Sequence, residues 1–168
     1  MIVVSDATPI ISLAKIEMLD ILGILYDEVL LPKAVYDEVC RNKTFADEAA
    51  AIKKCAFVQV KTVNMEQSVR LLRATGLDSG ESEAIVLADS LPDSLLLIDE
   101  RKGRQIALNI GIQIIGTLGI LLHAKRLGLV PHIKPLLDTL LKANIRISES
   151  LYHSVLEQAK EKKNGKRL

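Results

Sequence analysis

Short apolar runs alternate with segments of helical periodicity along most of the chain. Each run spans only three or four residues and is almost wholly apolar, which is typical of a parallel strand buried on both faces. Residues 57–63 instead alternate, as a half-exposed strand does. Strands separated by helices predict a three-layer α/β/α fold with a central parallel sheet. The apolar runs are residues 2–4, 28–31, 95–98 and 113–115.

Proline, glycine and capping residues mark the predicted helix ends. Pro9 and Pro32 suit first helical turns because their missing N–H is not needed there. Thr117 can cap a helix over residues 118–127, which Gly128 ends. The stripe of the first helix continues weakly as far as Leu25. Further helices are predicted over 44–55, 65–74 and 81–88, after residue 101, and from Pro131 and Ser148 onward.

The length of 168 residues predicts one domain, and no segment of the sequence has the character of an internal linker. We expect its core over residues 1–129, its C-terminal helices over 131–161 and a tail over 162–168. The charged run that forms this tail begins at Glu161, and we expect it to be frayed and solvated.

Composition narrows the classes of function. Lys+Arg 22 against Asp+Glu 21 gives a net charge of +1, so a nucleic-acid partner would need a local basic patch. Aromatic residues make up 3% and Trp is absent, which excludes base stacking as a major binding mode. Cys40 and Cys55 lack metal-type spacing and are interpreted as small buried thiols in a reducing compartment, with a disulfide as the less favoured alternative. Without a leader-like start or a membrane-length apolar run, we expect a cytoplasmic protein that does not bind membranes.

Acidic residues follow two of the predicted strands. Asp6 and Asp99 each stand where a strand ends, and this edge of an open α/β sheet is where ligands bind. Glu38, Glu81 and Glu83 lie on helices that can overhang the same edge. Taken singly, each acid has a plainer explanation, as a helix cap, a partner of the helix dipole or a solvated surface residue.

The acids together favour a metal site. Converging carboxylates raise each other's pKa, and a divalent cation removes that conflict. Mg²⁺ and Mn²⁺ prefer oxygen ligands and suit phosphate substrates, and no His or Cys stands near these positions to favour zinc. The stretch Gly116-Thr117-Leu118-Gly119 lacks the spacing and the lysine of a phosphate-binding loop.

Five short motifs in order resemble those of the PIN-domain family, the metal-dependent ribonuclease fold that includes VapC-type toxins. The likeness is to a compact prokaryotic branch and covers residues 1–129 and the C-terminal helices. Each motif is weak alone, and their order and spacing carry the resemblance. They are Val4-Ser5-Asp6-Ala7-Thr8-Pro9, Pro32-Lys33-Ala34-Val35-Tyr36-Asp37-Glu38, Gly80-Glu81-Ser82-Glu83-Ala84-Ile85, Ile98-Asp99-Glu100-Arg101-Lys102-Gly103-Arg104 and Gly116-Thr117-Leu118-Gly119.

The resemblance implies a Mg²⁺- or Mn²⁺-dependent endoribonuclease that hydrolyses RNA phosphodiesters. It matches Asp6, Glu38, Glu81 and Asp99 to the family's catalytic, metal-binding acids. Glu83 is the alternative to Glu81, and because two helical residues differ by about 200°, only one of them can face the site. Ala7 replaces a threonine of many relatives, and Thr8 can take over its role.

Partners follow from the same resemblance. It implies an antitoxin that blocks the acidic cleft, if the protein is a toxin, and a homodimer. The apolar helices at 118–127 and 133–141 are the candidate dimer surfaces, although both stripes can instead cover the sheet. Five basic residues are candidates for RNA phosphate contacts, with solvated helix positions as the plainer explanation. They are Arg101, Lys102, Arg104, Lys125 and Arg126.

Two other functions remain to be weighed. A non-catalytic PIN-like nucleic-acid-binding or scaffold protein would keep the fold without binding metal. A receiver-type domain also gathers acids at strand ends, but it needs a lysine at the end of a late strand. The last predicted strand here ends in Gly116-Thr117, which disfavours a receiver.

Overall fold

Five parallel strands form one central sheet in the computed structural model, which describes residues 1–161. The sheet order is β3-β2-β1-β4-β5. With the helices that connect its strands, it makes the three-layer α/β/α fold that the sequence predicts, and the described residues contain ten α-helices in all. The strands are β1 (Ile2–Ser5), β2 (Val29–Pro32), β3 (Val58–Lys61), β4 (Ser94–Leu97) and β5 (Gln113–Ile115).

Three of the apolar runs become the interior strands β1, β2 and β4, as predicted. The run at 113–115 was expected to be buried, but it forms the edge strand β5, with one exposed and two half-buried residues. β1 lies at the centre, with Val3 opposite Val29 of β2 and Ser5 opposite Leu97 of β4. Every residue of β2 and β4 is buried, since helices cover both faces of a parallel sheet. β3 is an edge strand with three exposed residues, and it is shorter than the predicted 57–63.

Helices follow the strands along the chain. None within residues 1–161 is both long and apolar enough to cross a membrane. They are α1 (Ala7–Lys15), α2 (Asp20–Tyr26), α3 (Lys33–Arg41), α4 (Ala46–Lys53), α5 (Glu66–Ala74), α6 (Ser79–Asp89), α7 (Arg101–Ile110), α8 (Thr117–Arg126), α9 (Lys134–Lys142) and α10 (Glu149–Gln158).

Three helix boundaries differ from the prediction. The first stripe does not run through to Leu25 in one helix, because Glu17 adopts a left-handed φ of 57° and the chain turns between α1 and α2. A 3₁₀ turn, Lys43–Phe45, precedes α4, and the Asn42 side chain accepts its Thr44 N–H. α9 begins at Lys134 rather than at Pro131.

The described chain divides into two compact units, Met1–Thr117 and a second that begins at Leu118. In the first unit, α6 and α7 bury an apolar face against the sheet, where Val4, Leu96 and Ile98 are fully buried. Cys40 and Cys55 are free thiols and are half-buried rather than buried as predicted.

In the second unit, Glu161 corrects the prediction of a solvated tail. Its side chain is only 9% exposed, and its carboxylate accepts hydrogen bonds from Ile133 N–H at 2.9 Å and Lys125 Nζ at 2.7 Å. A carboxylate at the start of α9 also complements the partial positive charge of that helix end. The predicted tail over 162–168 lies outside the described residues.

Candidate active site

Asp6 and Asp99 lie at the carboxyl edge of adjacent strands. Asp6 follows β1, and its N–H donates to Leu97 O, at the end of β4, at 2.9 Å. Asp99 comes two residues after Leu97. The parallel pairing of β1 and β4 therefore brings both acids to one edge of the sheet, where α/β folds bind ligands.

Asp6 is a buried carboxyl group, only 3% exposed. Burial raises its pKa to about 8, the nearby Ala7 amide opposes the shift, and the charges of Glu81, Asp78 and Glu38 add to it. Asp6 occupies the N-cap position of α1, but its side chain makes no capping hydrogen bond. The plainer interpretation of Asp6 as a helix cap therefore does not account for this carboxylate.

Glu38 reaches the first turn of α6 because Gly80 has no side chain. A Cβ at Gly80 would stand 2.8 Å from Glu38 Oε2, closer than such atoms approach. Burial raises the pKa of Glu38, and the charges of Asp78 and Glu81 raise it further. Glu38 therefore joins the acids around Asp6 although it comes from α3.

Asp78 and Glu81 are fixed by a capping box at the start of α6. Asp78 Oδ1 accepts the Glu81 N–H at 2.8 Å, and Glu81 Oε2 accepts the Asp78 N–H at 3.0 Å. Burial raises the pKa of Glu81, and the charges of Asp78 and Glu100 contribute. Asp78 is not among the acids predicted from the sequence, although an Asp followed three residues later by Glu is a known helix-start signal.

Glu83 points to a different place. Its Oε2 accepts the Ala34 N–H at 3.1 Å, at the start of α3, and burial raises its pKa. It is absent from the charges that act on Asp6. The described structure thus gathers an acidic cluster made of Asp6, Glu38, Asp78 and Glu81, with Glu83 turned away from it.

Asp99 is bonded to Thr117 rather than to an acid of the cluster. Its Oδ1 accepts the Thr117 N–H at 2.8 Å and its Oδ2 accepts the Thr117 hydroxyl at 2.6 Å. Gly116 allows this approach, since a Cβ there would stand 2.7 Å from Asp99 Oδ1. Its charge does not contribute to the pKa of Asp6. Of the four predicted acids, Asp6, Glu38 and Glu81 are brought together. Asp99 lies at the same edge of the sheet and is bonded to Thr117.

The donor chemistry of the site fits a hard divalent cation. Every candidate ligand is a carboxylate oxygen, and burial first, with the neighbouring acids adding to it, raises the pKa of Asp6, Glu38 and Glu81. Among residues 1–161, however, no three His, Cys, Asp or Glu side chains already stand as a ready-made coordination group. The acids match the metal in kind, but their side chains in the described chain are not arranged as a coordination group.

Several predicted phosphate contacts are engaged within the protein. The Lys102 ammonium donates to Thr75 O, and Arg104 Nη1 donates to Ile98 O at 2.8 Å. Lys125 pairs with Glu161 at 2.7 Å. Within the described chain, Arg101 remains exposed without an ion pair or a side-chain hydrogen bond.

The parallel sheet with acidic residues at its carboxyl edge is a nuclease-type α/β fold. A family model described as a PIN domain matches residues 2–161, nearly the whole chain, and the protein belongs to the PIN-domain family. Searches of curated proteins and of solved structures find no match. PIN domains are generally nucleases that use divalent metal ions, and they bind nucleic acid.

Proposed function

We propose that this protein is a Mg²⁺- or Mn²⁺-dependent endoribonuclease that hydrolyses RNA phosphodiester bonds. The observation that carries the proposal is the gathering of Asp6, Glu38 and Glu81 from β1, α3 and α6 at the edge where Asp99 also lies. Asp6 and Glu81 are buried whereas Glu38 is exposed, and placing like charges around buried carboxyl groups costs folding free energy. The presence of these acids at a ligand-binding edge is explained by a cation that binds there.

The proposed ligands are Asp6, Glu38, Glu81 and Asp99, with Asp78 as an additional acid of the cluster. When bound, the divalent ion would supply charge that orients the scissile phosphate and water and stabilises the displacement at phosphorus. The capping box fixes Glu81, and Thr117 fixes Asp99. Hydrolysis consumes one water molecule for each P–O bond broken, so it needs no side-chain nucleophile.

The decisive experiment is cleavage of a labelled RNA with and without added Mn²⁺. We expect wild type to cut, EDTA to stop it, and Asp6→Asn and Asp99→Asn each to lower the rate by at least about a hundredfold. Exposed Asp47→Asn, on α4, is the matched control and keeps wild-type activity. Equal cleavage by wild type and both site variants would assign the activity to a contaminant and reject the proposal.

One observation favours a second function, that of a non-catalytic nucleic-acid-binding or scaffold protein. Both Asp99 oxygens are engaged by Thr117, and the acids of residues 1–161 do not form a ready-made coordination group. Calorimetric titration separates the two functions. The nuclease binds Mn²⁺ and loses this binding in Asp6→Asn, whereas a scaffold shows no heat of binding with either protein.

A toxin role is a finer form of the proposal and is supported by the resemblance to VapC-type toxins. Induced expression of wild type should arrest growth of a bacterial host, and Asp6→Asn should not. Continued growth at equal expression of the two proteins would reject the toxin role. An antitoxin partner and a homodimer remain predictions, and light scattering of the purified chain tests the dimer.

A further inference from the structure

An open groove of about 570 Å³ runs along α5 to the loop that precedes α6. Its lining combines two arginines and one glutamate with an apolar floor. The lining residues are Glu66, Val69, Arg70, Arg73, Ala74 and Leu77. We call it the arginine groove, because Arg70 and Arg73 are the only cationic residues that line it.

The two arginines are free to bind a ligand. Both are exposed, and within residues 1–161 neither forms an ion pair or donates a side-chain hydrogen bond. They are three residues apart on α5, so their side chains share a face with Cβ atoms about 5–6 Å apart. Lys102 and Arg104, by contrast, already donate to backbone carbonyls. The groove therefore offers two guanidinium forks, the group that binds phosphate in a bidentate manner.

The lining of the arginine groove extends to the residue that precedes Asp78 of the acidic cluster. Leu77 is buried in its wall, and the next residue is Asp78, whose carboxylate accepts the Glu81 N–H at 2.8 Å. The Lys102 ammonium donates to Thr75 O, which ties the turn between α5 and α6 to the first turn of α7. A chain lying in the groove thus arrives at the acids along a fixed turn.

We propose that the arginine groove binds the phosphate backbone of single-stranded RNA beside the acidic cluster. This inference rests on the proposed function, since it takes RNA as the substrate. α5 has nine residues, or about 13 Å of helix, which matches a short stretch of one strand better than a duplex. Glu66 stands at the far end of α5 and repels phosphate there, so the contacts concentrate at Arg70 and Arg73, nearer Asp78.

The test measures binding of a fluorescein-labelled 20-nucleotide oligouridylate by anisotropy, in EDTA, over a series of KCl concentrations. A single-stranded contact contributes about 0.7 to the slope of log K against log salt. We therefore expect the Arg70→Gln/Arg73→Gln double variant to lower the magnitude of the slope by about 1.4. Arg41→Gln, on α3, removes an arginine charge outside the groove and leaves the slope unchanged.

Equal slopes for wild type and the double variant would overturn the inference, as would an equal loss in Arg41→Gln or the absence of RNA binding by wild type. We expect unfolding curves to show that the double variant is folded, because both side chains are exposed. If wild type cleaves RNA in Mn²⁺ but the double variant has an unchanged slope, the groove is rejected as an RNA-binding site and the proposed nuclease activity is retained. If the double variant has a smaller slope but wild type does not cleave RNA, the nuclease activity is rejected and RNA binding by the groove is retained.

Discussion

Thr117 holds both oxygens of Asp99, through its N–H to Oδ1 at 2.8 Å and its hydroxyl to Oδ2 at 2.6 Å. Thr117 is 4% exposed, so its hydroxyl is fixed by the surrounding structure rather than by solvent. A hydrogen bond to a carboxylate in such a place is worth about 1.5–3 kcal/mol. Thr117 is therefore a positioning residue for Asp99.

Thr117→Val keeps the shape and the N–H but removes the hydroxyl. We expect cleavage in Mn²⁺ to fall by roughly tenfold to a hundredfold, which corresponds to the lost hydrogen bond. Thr117→Ser retains a hydroxyl and restores most of the rate. The measurements are single-turnover cleavage and Mn²⁺ affinity by calorimetry. A Ser variant as impaired as the Val variant, with wild-type Mn²⁺ affinity in both, would show a packing role alone.

Gly80→Ala separates activity from stability. The new Cβ would stand 2.8 Å from Glu38 Oε2, the end of a flexible side chain that can swing away. Alanine also favours a helix over glycine by about 1 kcal/mol, which offsets the crowding by the new Cβ. We therefore expect the melting temperature to change little. Cleavage should fall by at least about tenfold, because Glu38 is displaced from the acids.

A double-variant cycle is the control for Gly80→Ala. In a Glu38→Ala background, the Gly80→Ala change should lower the cleavage rate no further, because the side chain that it displaces is gone. Additive losses would mean that Gly80 acts through the backbone of α6 instead.

The buried carboxyl of Asp6 makes stability depend on pH in the absence of metal. Its pKa is about 8 in the folded protein against an ordinary 3.8, so the folded state binds the proton more tightly. This contribution is complete below pH 4 and is lost as pH rises towards 8. Asp6→Asn mimics the protonated form and should be more stable than wild type at pH 8.5 in EDTA, by a few kcal/mol.

Urea unfolding from pH 5 to pH 9 measures this difference. The gap between Asp6→Asn and wild type should widen with rising pH, while Asp47→Asn should follow wild type throughout. A gap that stays constant over the whole range would show that the carboxyl titrates alike in the folded and unfolded chains.

Glu81 and Glu83 should respond differently to substitution. Glu81→Gln removes an acid of the cluster, so we expect Mn²⁺ to stabilise it less than it stabilises wild type. Glu83→Gln weakens the contact to the Ala34 N–H, so its own stability should fall by about 0.5–1 kcal/mol while the gain from Mn²⁺ is kept.

Thermal melts with and without 1 mM Mn²⁺ compare the two variants. At a concentration about a hundred times Kd, a ligand adds about 2.7 kcal/mol to the stability of the protein that it binds. A gain lost in Glu83→Gln and kept in Glu81→Gln would reverse the assignment of the third acid.

Much of the fold could be predicted because its signals are local. The apolar runs before Asp6 and Asp99 are short and bounded, and a strand buried on both faces needs only such a run. Helix breaks were harder to predict. Glutamate rarely adopts a left-handed φ, so nothing in the local sequence predicts the turn at Glu17 that interrupts the first apolar stripe.

The hydrogen bonds of the Glu161 carboxylate could not be predicted, because its partners Lys125 and Ile133 are far away along the chain. A run of charges at a chain end predicts solvation on local grounds, and only the packing of α8 and α9 in the second unit provides partners for this one. Asp78 is the opposite case, since its capping box with Glu81 is a local pattern that is visible in the sequence.

By itself, the sequence determined which residues form parallel strands and which acids follow them, since strand burial and helix starts depend on neighbours a few positions away. Only the tertiary structure decided that Asp6 faces Glu38, Asp78 and Glu81, that Glu83 caps α3, and that Asp99 is held by Thr117. These relationships join residues from separate elements. Their distances depend on sheet register and on the space left by Gly80 and Gly116, which no local pattern specifies.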